Sequence, residues 1–367
     1  MNRLTFTVIN DLTYDQRMHR ICSSLAKAGY YVTLIGRRLP NSLAIKNEVY
    51  KQRRIACFFL KGKLMYLEFN LRLLFYLLFI PAHCFCAIDL DTIVPNYIAS
   101  IVKRKKRVYD AHELFTELKE IVTRPAIHKA WVKIEQFALP KYRFGYTVNN
   151  FIADEFKIKY GVEYAVIRNL PNLSTQPHNP DRSHPFIIYQ GAVNEGRSFE
   201  TLIPAMKLVN ARLVIYGNGN FFKQVEQLIK DEGVQEKVTL MGMVPPEELK
   251  KITPTAYAAV MLFEETGLNQ YQSLANRFFD YIMAGVPQVC VDFPQYRAIN
   301  DQYGIASLIS NNNPATIAHA LNNLLNDDVY YETICANCLK AREELNWQDE
   351  EKVLLAFYEK VFAKSDE

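Results

Sequence analysis

Apolar positions along the chain switch repeatedly between the short runs of a strand and the three-and-four spacing of a helix. Leu4–Ile9 is a short β-rich run. Gln16–Ala28 follows with Met18, Ile21, Leu25 and Ala26 at helical spacing, Gly29 ends that helix, and Tyr31–Gly36 is the next strand. A βαβ opening of this kind builds a parallel sheet. Further strands are predicted at Ile55–Leu60, Cys84–Leu90, Arg107–Asp110, Tyr146–Asn149 and Tyr164–Arg168, with helices between them.

The pattern then breaks. Residues 172–185 are polar and hold three prolines, Pro177, Pro180 and Pro185, which marks a linker. Alternation restarts with Phe186–Gly191 and a helix from about Phe199. Strands follow at Arg212–Tyr216, Lys237–Leu240, Ala258–Phe263, Val286–Val291 and Ile305–Ile309. Trp347–Phe362 closes the chain as an amphipathic helix bearing Val353, Leu354, Phe357, Tyr358 and Val361. The fold class is therefore α/β, with two tandem Rossmann-like doubly wound domains. Residues 1–171 form the first, 172–185 the linker, 186–346 the second and 347–367 the terminal helix.

Composition narrows the class. With 367 residues and 49% hydrophobic side chains the chain is not disordered, and no short repeat makes it fibrous. Seven scattered cysteines read as reduced thiols of a cytoplasmic protein, and the N-terminus enters a strand without a signal-peptide pattern. The net charge of +4 hides an asymmetry: residues 1–110 carry 18 basic and 7 acidic side chains, a net +11, leaving −7 for the remainder. An anionic partner is implied for the first half.

Ligands of open α/β sheets sit beyond the carboxyl ends of the strands, so candidate chemistry is sought there and in the cleft between two such domains. After Phe186–Gln190 come Gly191, Gly196 and Arg197 ahead of a helix, an arrangement that suits a phosphate. After Arg212–Tyr216 come Gly217 and Gly219, where a ring or phosphate could approach the backbone. Asn276, Arg277 and Asp280 lie within little more than one helical turn, and Asp280 could accept ribose hydroxyls. In the first domain His112 stands past a strand between Asp110 and Glu113, suited to hydrogen bonding or proton transfer. The loop Asn10–Arg17, with Asp15 and Arg17, follows the first strand. Asp89-Leu90-Asp91 imitates a metal-binding Asp-x-Asp, but its second Asp reads as a helix cap. Cys335 and Cys338 lack partner ligands and read as structural thiols.

Together, Tyr189-Gln190-Gly191 with Gly196-Arg197, Leu213–Gly219, Lys237–Val244 and Asn276–Tyr281 with Ala284-Gly285-Val286-Pro287 resemble a bacterial glycosyltransferase of family 4, the GT-B fold. Asp15-Gln16-Arg17 and Tyr109–Glu117 are similar to the subgroup of surface-polysaccharide clusters. The resemblance implies a nucleotide-diphosphate sugar donor, retention of anomeric configuration, no metal and no other cofactor, with the terminal helix crossing back to the first domain. By position, it assigns Arg197 to the diphosphate, with Arg277 or Arg17 as further cations, and Asp280, beside Asn276, to the ribose. Met243 and Val244 would border the base, the loops of Gly191, Gly217 and Gly219 would lie against the nucleotide, and His112, Asp15 and Arg17 would serve catalysis. Eight residues before Asp280 stands Gln272, so the family's first acid is missing here.

The expected partners are a nucleotide sugar and a saccharide or lipid-linked acceptor. A sugar-nucleotide epimerase of the same fold and a non-catalytic nucleotide-sugar-binding protein are the alternatives. The basic run Lys103–Arg107 lacks interleaved aromatics and does not read as nucleic-acid binding. Lys61–Ile80 is the most apolar stretch, too interrupted by charge to span a bilayer. With basic flanks it suits a peripheral position on the anionic inner face of the membrane.

Overall fold

The computed structural model describes residues 1–13 and 15–363. They divide into two compact units, Met1–Asn169 with Glu350 onward, and Leu170–Asp349.

The first unit is built on a seven-stranded sheet: β1 (Arg3–Thr7), β2 (Tyr31–Arg38), β3 (Lys51–Ala56), β4 (Cys84–Ile88), β5 (Lys106–Ala111), β6 (Phe144–Thr147) and β7 (Ala165–Val166). Their order is β3-β2-β1-β4-β5-β6-β7, with every pairing parallel. Parallel strands need crossover helices, and helices on the sheet leave no solvent-facing side on central strands. Hence all five residues of β4 are buried. The crossover Gln16–Lys27 shows the local logic: Asp15 caps it by accepting from Met18 N–H, and Met18, Ile21, Cys22 and Leu25 bury one face. The sheet reverses its winding between β1 and β4, the place where open α/β sheets hold ligands.

The second unit repeats the plan with β8 (Phe186–Gln190), β9 (Arg212–Tyr216), β10 (Val238–Gly242), β11 (Ala258–Met261), β12 (Gln288–Val291) and β13 (Ala306–Ile309). The order β10-β9-β8-β11-β12-β13 is again parallel throughout, with its reversal between β8 and β11.

Two expectations need correction. The strand expected at Ile55–Leu60 lies earlier, because polar Lys51–Arg54 supply the ladder against Thr33–Gly36 while Phe58, Phe59 and Leu60 are exposed in the following loop. An edge strand does not need apolar side chains on both faces. The stretch 172–185 is no free linker: Asn179 N–H donates to Pro254 O, His178 bonds Ala256 O, and Arg182 pairs with Glu332. It is packed onto the second unit. The terminal helix Trp347–Phe362 begins within the second unit and from Glu350 belongs to the first.

In that helix Leu354, Tyr358 and Val361 are fully buried. The Tyr358 ring meets Phe6 at 6.1 Å and Tyr146 at 6.3 Å, and its hydroxyl lies 3.4 Å from Cys86 Sγ. Tyr358→Ala should therefore destabilise the first unit by about 3 kcal/mol through the cavity it leaves. Urea unfolding followed by circular dichroism checks this, and an unchanged midpoint would contradict a structural role for the helix.

Candidate functional site

In the second unit two arginines share one aromatic wall. Arg277, in the first turn of the helix Asn276–Ala284, is buried; its Nη1 donates to Tyr189 Oη at 3.0 Å and its Nη2 to Leu262 O at 3.4 Å. Its guanidinium lies 4.6 Å from the Tyr189 ring and 4.9 Å from the Phe263 ring. Arg197, in the loop after β8, sits 4.1 Å from the same Phe263 ring, with Nε buried and without a hydrogen-bond partner. Among the described residues no carboxylate forms an ion pair with either. Burial, and then the like charge of Arg277, lowers the Arg197 pKa to about 10. Two desolvated cations side by side attract an anion.

The neighbouring wall is polar. Gln190 ends β8, donates from Nε2 to Asp280 Oδ2 at 3.2 Å, and accepts from Thr253 Oγ1 at 2.7 Å. Its backbone N–H donates to Tyr281 Oη at 3.1 Å. Asp280 is thus held by a buried amide while remaining partly exposed. Above it the loops after β8 and β9 interlock: Val193 N–H donates to Asn218 O, and Asn194 Oδ1 accepts from Asn220 N–H.

In the first unit a charged chain runs across the ends of β4 and β5. Arg17 Nη2 donates to Asp110 Oδ1 at 2.9 Å and Nη1 to Ile167 O at 2.9 Å, both side chains being buried. The other Asp110 oxygen lies 3.2 Å from His112 Nε2. Asp89 accepts the His112 backbone N–H at 2.9 Å, and its second oxygen is 3.7 Å from His112 Nδ1. Asp89 holds a positive φ of 50°, a conformation found at strained functional positions. Burial raises the Asp110 pKa, but Arg17 and His112 outweigh it and the group is lowered. Burial likewise opposes charge on His112, yet Asp110 and then Asp89 raise it to about 9. Burial pushes Asp89 up to about 8 and Asp91 up to about 7. The His112 ring, 24% exposed, is a cation at neutral pH that can donate to an oxygen.

Residues 173–343 match the family described as Glycosyl transferases group 1. This segment is a group 1 glycosyltransferase domain. It includes both arginines, Gln190 and Asp280. An uncharacterised glycosyltransferase of Methanocaldococcus jannaschii is 27% identical over 179 residues, 47% of this chain and 44% of the relative, so the match spans less than half of that relative's length. Among solved structures, sucrose-phosphate synthase from Thermosynechococcus elongatus superposes with a TM-score of 0.83 at 15% identity over 100% of both chains. Anabaena HepE, in a complex with UDP-glucose, does so with 0.76 at 12% over 98% of this chain and 100% of its own. At such identity the likeness shows the fold, the two-domain Rossmann-like GT-B arrangement.

The group 1 domain brings Gly191, Arg197, Arg277 and Asp280 to the carboxyl side of β8. Asn276 is exposed at the start of its helix and does not cap it, since the cap position is Ala275. Met243 is 63% exposed just past β10, and Val244 is partly buried. The glycines have a packing role. A Cβ on Gly217 would meet Gly191 O at 1.7 Å, and one on Gly219 would meet Val193 O at 2.3 Å. Both are small so that two loops can interlock.

In the first unit Asp15 is committed to capping, accepting from Met18 N–H and from Asn10 Nδ2. Arg17 is enclosed in its ion pair, so it positions Asp110 and offers no charge to a ligand. Asp91 is no helix cap: the helix Ile93–Val102 is preceded by Thr92. Cys335 and Cys338 are buried free thiols. The residues missed are Asp89, Tyr189, Phe263 and Gln190. All stand at strand ends beside the two reversal points, and that position was the signal available for them.

The first-unit charges fix a pH dependence. A histidine raised from 6.5 to about 9 contributes stability that is complete below 6.5 and lost as pH rises through 9. Asp89, held above its ordinary 3.8, acts in the same direction as pH rises towards 8. The first unit's unfolding midpoint should therefore fall between pH 6.5 and 9, and His112→Gln should reduce that fall. Urea titrations across this range check it; an equal fall in the variant would contradict the assignment.

Proposed function

We propose that the chain is a retaining, metal-independent glycosyltransferase that moves a sugar from a nucleotide-diphosphate donor to a saccharide or lipid-linked acceptor of polysaccharide biosynthesis, at the cytoplasmic face of a membrane. The observation that carries this is the pair of half-buried Arg197 and buried Arg277, both against Phe263 and, among the described residues, without a carboxylate ion pair, in a group 1 domain. Cleavage of the bond between sugar and diphosphate leaves growing negative charge on the phosphate oxygens. Preorganised, desolvated cations stabilise that charge in the transition state more than in the ground state. In this reading Asp280, held by Gln190, accepts the ribose hydroxyls, Asn276 lies beside it, and Met243 and Val244 border the base.

The acceptor oxygen bonds the anomeric carbon on the face from which the diphosphate leaves, and the hydroxyl proton passes to the departing phosphate. The His112 cation donates to an oxygen of the transferred sugar, and Asp110, anchored by Arg17, keeps the ring oriented and charged. The solved HepE complexes with UDP and UDP-glucose support a nucleotide-sugar ligand for this fold.

A thermal-shift screen of nucleotide sugars identifies the donor, since ligand binding to the native state raises the unfolding temperature. With that donor, Arg197→Ala and Asp280→Asn should each weaken binding by about ten- to a hundredfold, the loss of one charge-assisted hydrogen bond. His112→Ala should retain nucleotide binding and lose most turnover. Calorimetry and transfer assays read the two effects separately; unchanged affinity in both donor-site variants, or full turnover in His112→Ala, would contradict the proposal.

A further inference from the structure

The helix Gly62–Phe79 is apolar on two faces, and only one is covered. Met65, Phe69, Leu73 and Leu77 are buried, and the last three pack with Ile35, Phe85 and Ala99. On the other side Leu64, Leu67, Leu71, Phe75 and Phe79 recur at spacings of three and four and are 55–72% exposed. A surface helix of a water-soluble domain carries polar residues there. The preceding loop extends the patch with Phe58, 85% exposed, and it is held in place. Glu68 accepts the backbone N–H groups of Phe58 and Phe59 at 2.9 Å and pairs with Arg72 at 2.8 Å.

Charge surrounds this patch with one sign. Between Val49 and Ile88 the sequence has six Lys and Arg, and Glu68 is its one acid. Lys61 and Lys63 stand at the start of the helix. At its end Lys103 Nζ donates to Leu77 O and Ile80 O, which brings the basic run Lys103–Arg107 alongside. On the flank an open depression of about 500 Å³ is lined by Arg53, Arg54 and Arg72 together with Leu71 and Phe75. No helix among the described residues is long and apolar enough to cross a membrane.

We infer that this face docks on an anionic phospholipid bilayer, the apolar stripe entering the acyl boundary and the arginines and lysines meeting the headgroup phosphates. A second copy of the chain fits it poorly, because a two-fold contact would oppose like charges. The inference rests on the proposed action at a membrane-borne acceptor and names the surface that reaches it.

The test is flotation of the full chain with phosphatidylcholine vesicles, with and without phosphatidylglycerol. Binding to the anionic vesicles should exceed neutral binding by about tenfold or more and weaken with salt. Leu71→Ser with Phe75→Ser, both exposed, should lose most of it while keeping the wild-type melting temperature. Equal binding to neutral vesicles, unchanged binding by the double variant, or a dimer that the double variant dissolves would each overturn the inference. Nucleotide-sugar binding measured without vesicles reads the transferase proposal on its own, so either can fail alone.

Discussion

Two guanidinium groups lie against one phenylalanine with, among the described residues, no carboxylate paired to either, and much of the second unit is arranged to keep them so. Arg277 is fixed by Tyr189 and the end of β11, and Arg197 by a loop that Gln270 ties down through Gly196 O. Leaving cations desolvated and unpaired costs stability. That cost persists only where the surroundings over-determine the geometry, here the two interlocked glycine loops and the packing of Tyr189 on Phe199. A bound anion would offset it.

The first unit solves the opposite problem. Arg17, Asp110, His112 and Asp89 stand in succession, the first two buried and the last two partly exposed, and the neighbouring carboxyl groups favour the protonated ring. The cation comes from the helix after β1, and the acids from the ends of β4 and β5. They lie at the point where the sheet reverses its winding and on the next strand, so the same topology that closes the core also gathers the charges.

The alternation of strands and helices was legible because parallel sheets need long crossovers and apolar central strands. That Arg197 and His112 follow strands, and that Arg277 and Asp280 share a helix, was legible from the same alternation. What escaped depended on contacts between distant residues. Asp15 and Arg17 looked like site residues, but one caps a helix and the other pairs with an acid 93 positions away. The close packing that needs Gly217 and Gly219 was not legible, because a sequence does not show which backbone comes near. Phe58–Leu60 looked like a strand because strand patterns and exposed apolar patches are written in the same residues.

The central claim is that Arg197 and Arg277 hold a diphosphate. Calorimetric titration of the full chain with uridine, guanosine and adenosine and with their diphosphates tests it most directly. For the base that binds, the diphosphate should bind at least about a hundredfold more tightly than its nucleoside, as two charge-assisted contacts require. Equal affinity for nucleoside and diphosphate would contradict the account.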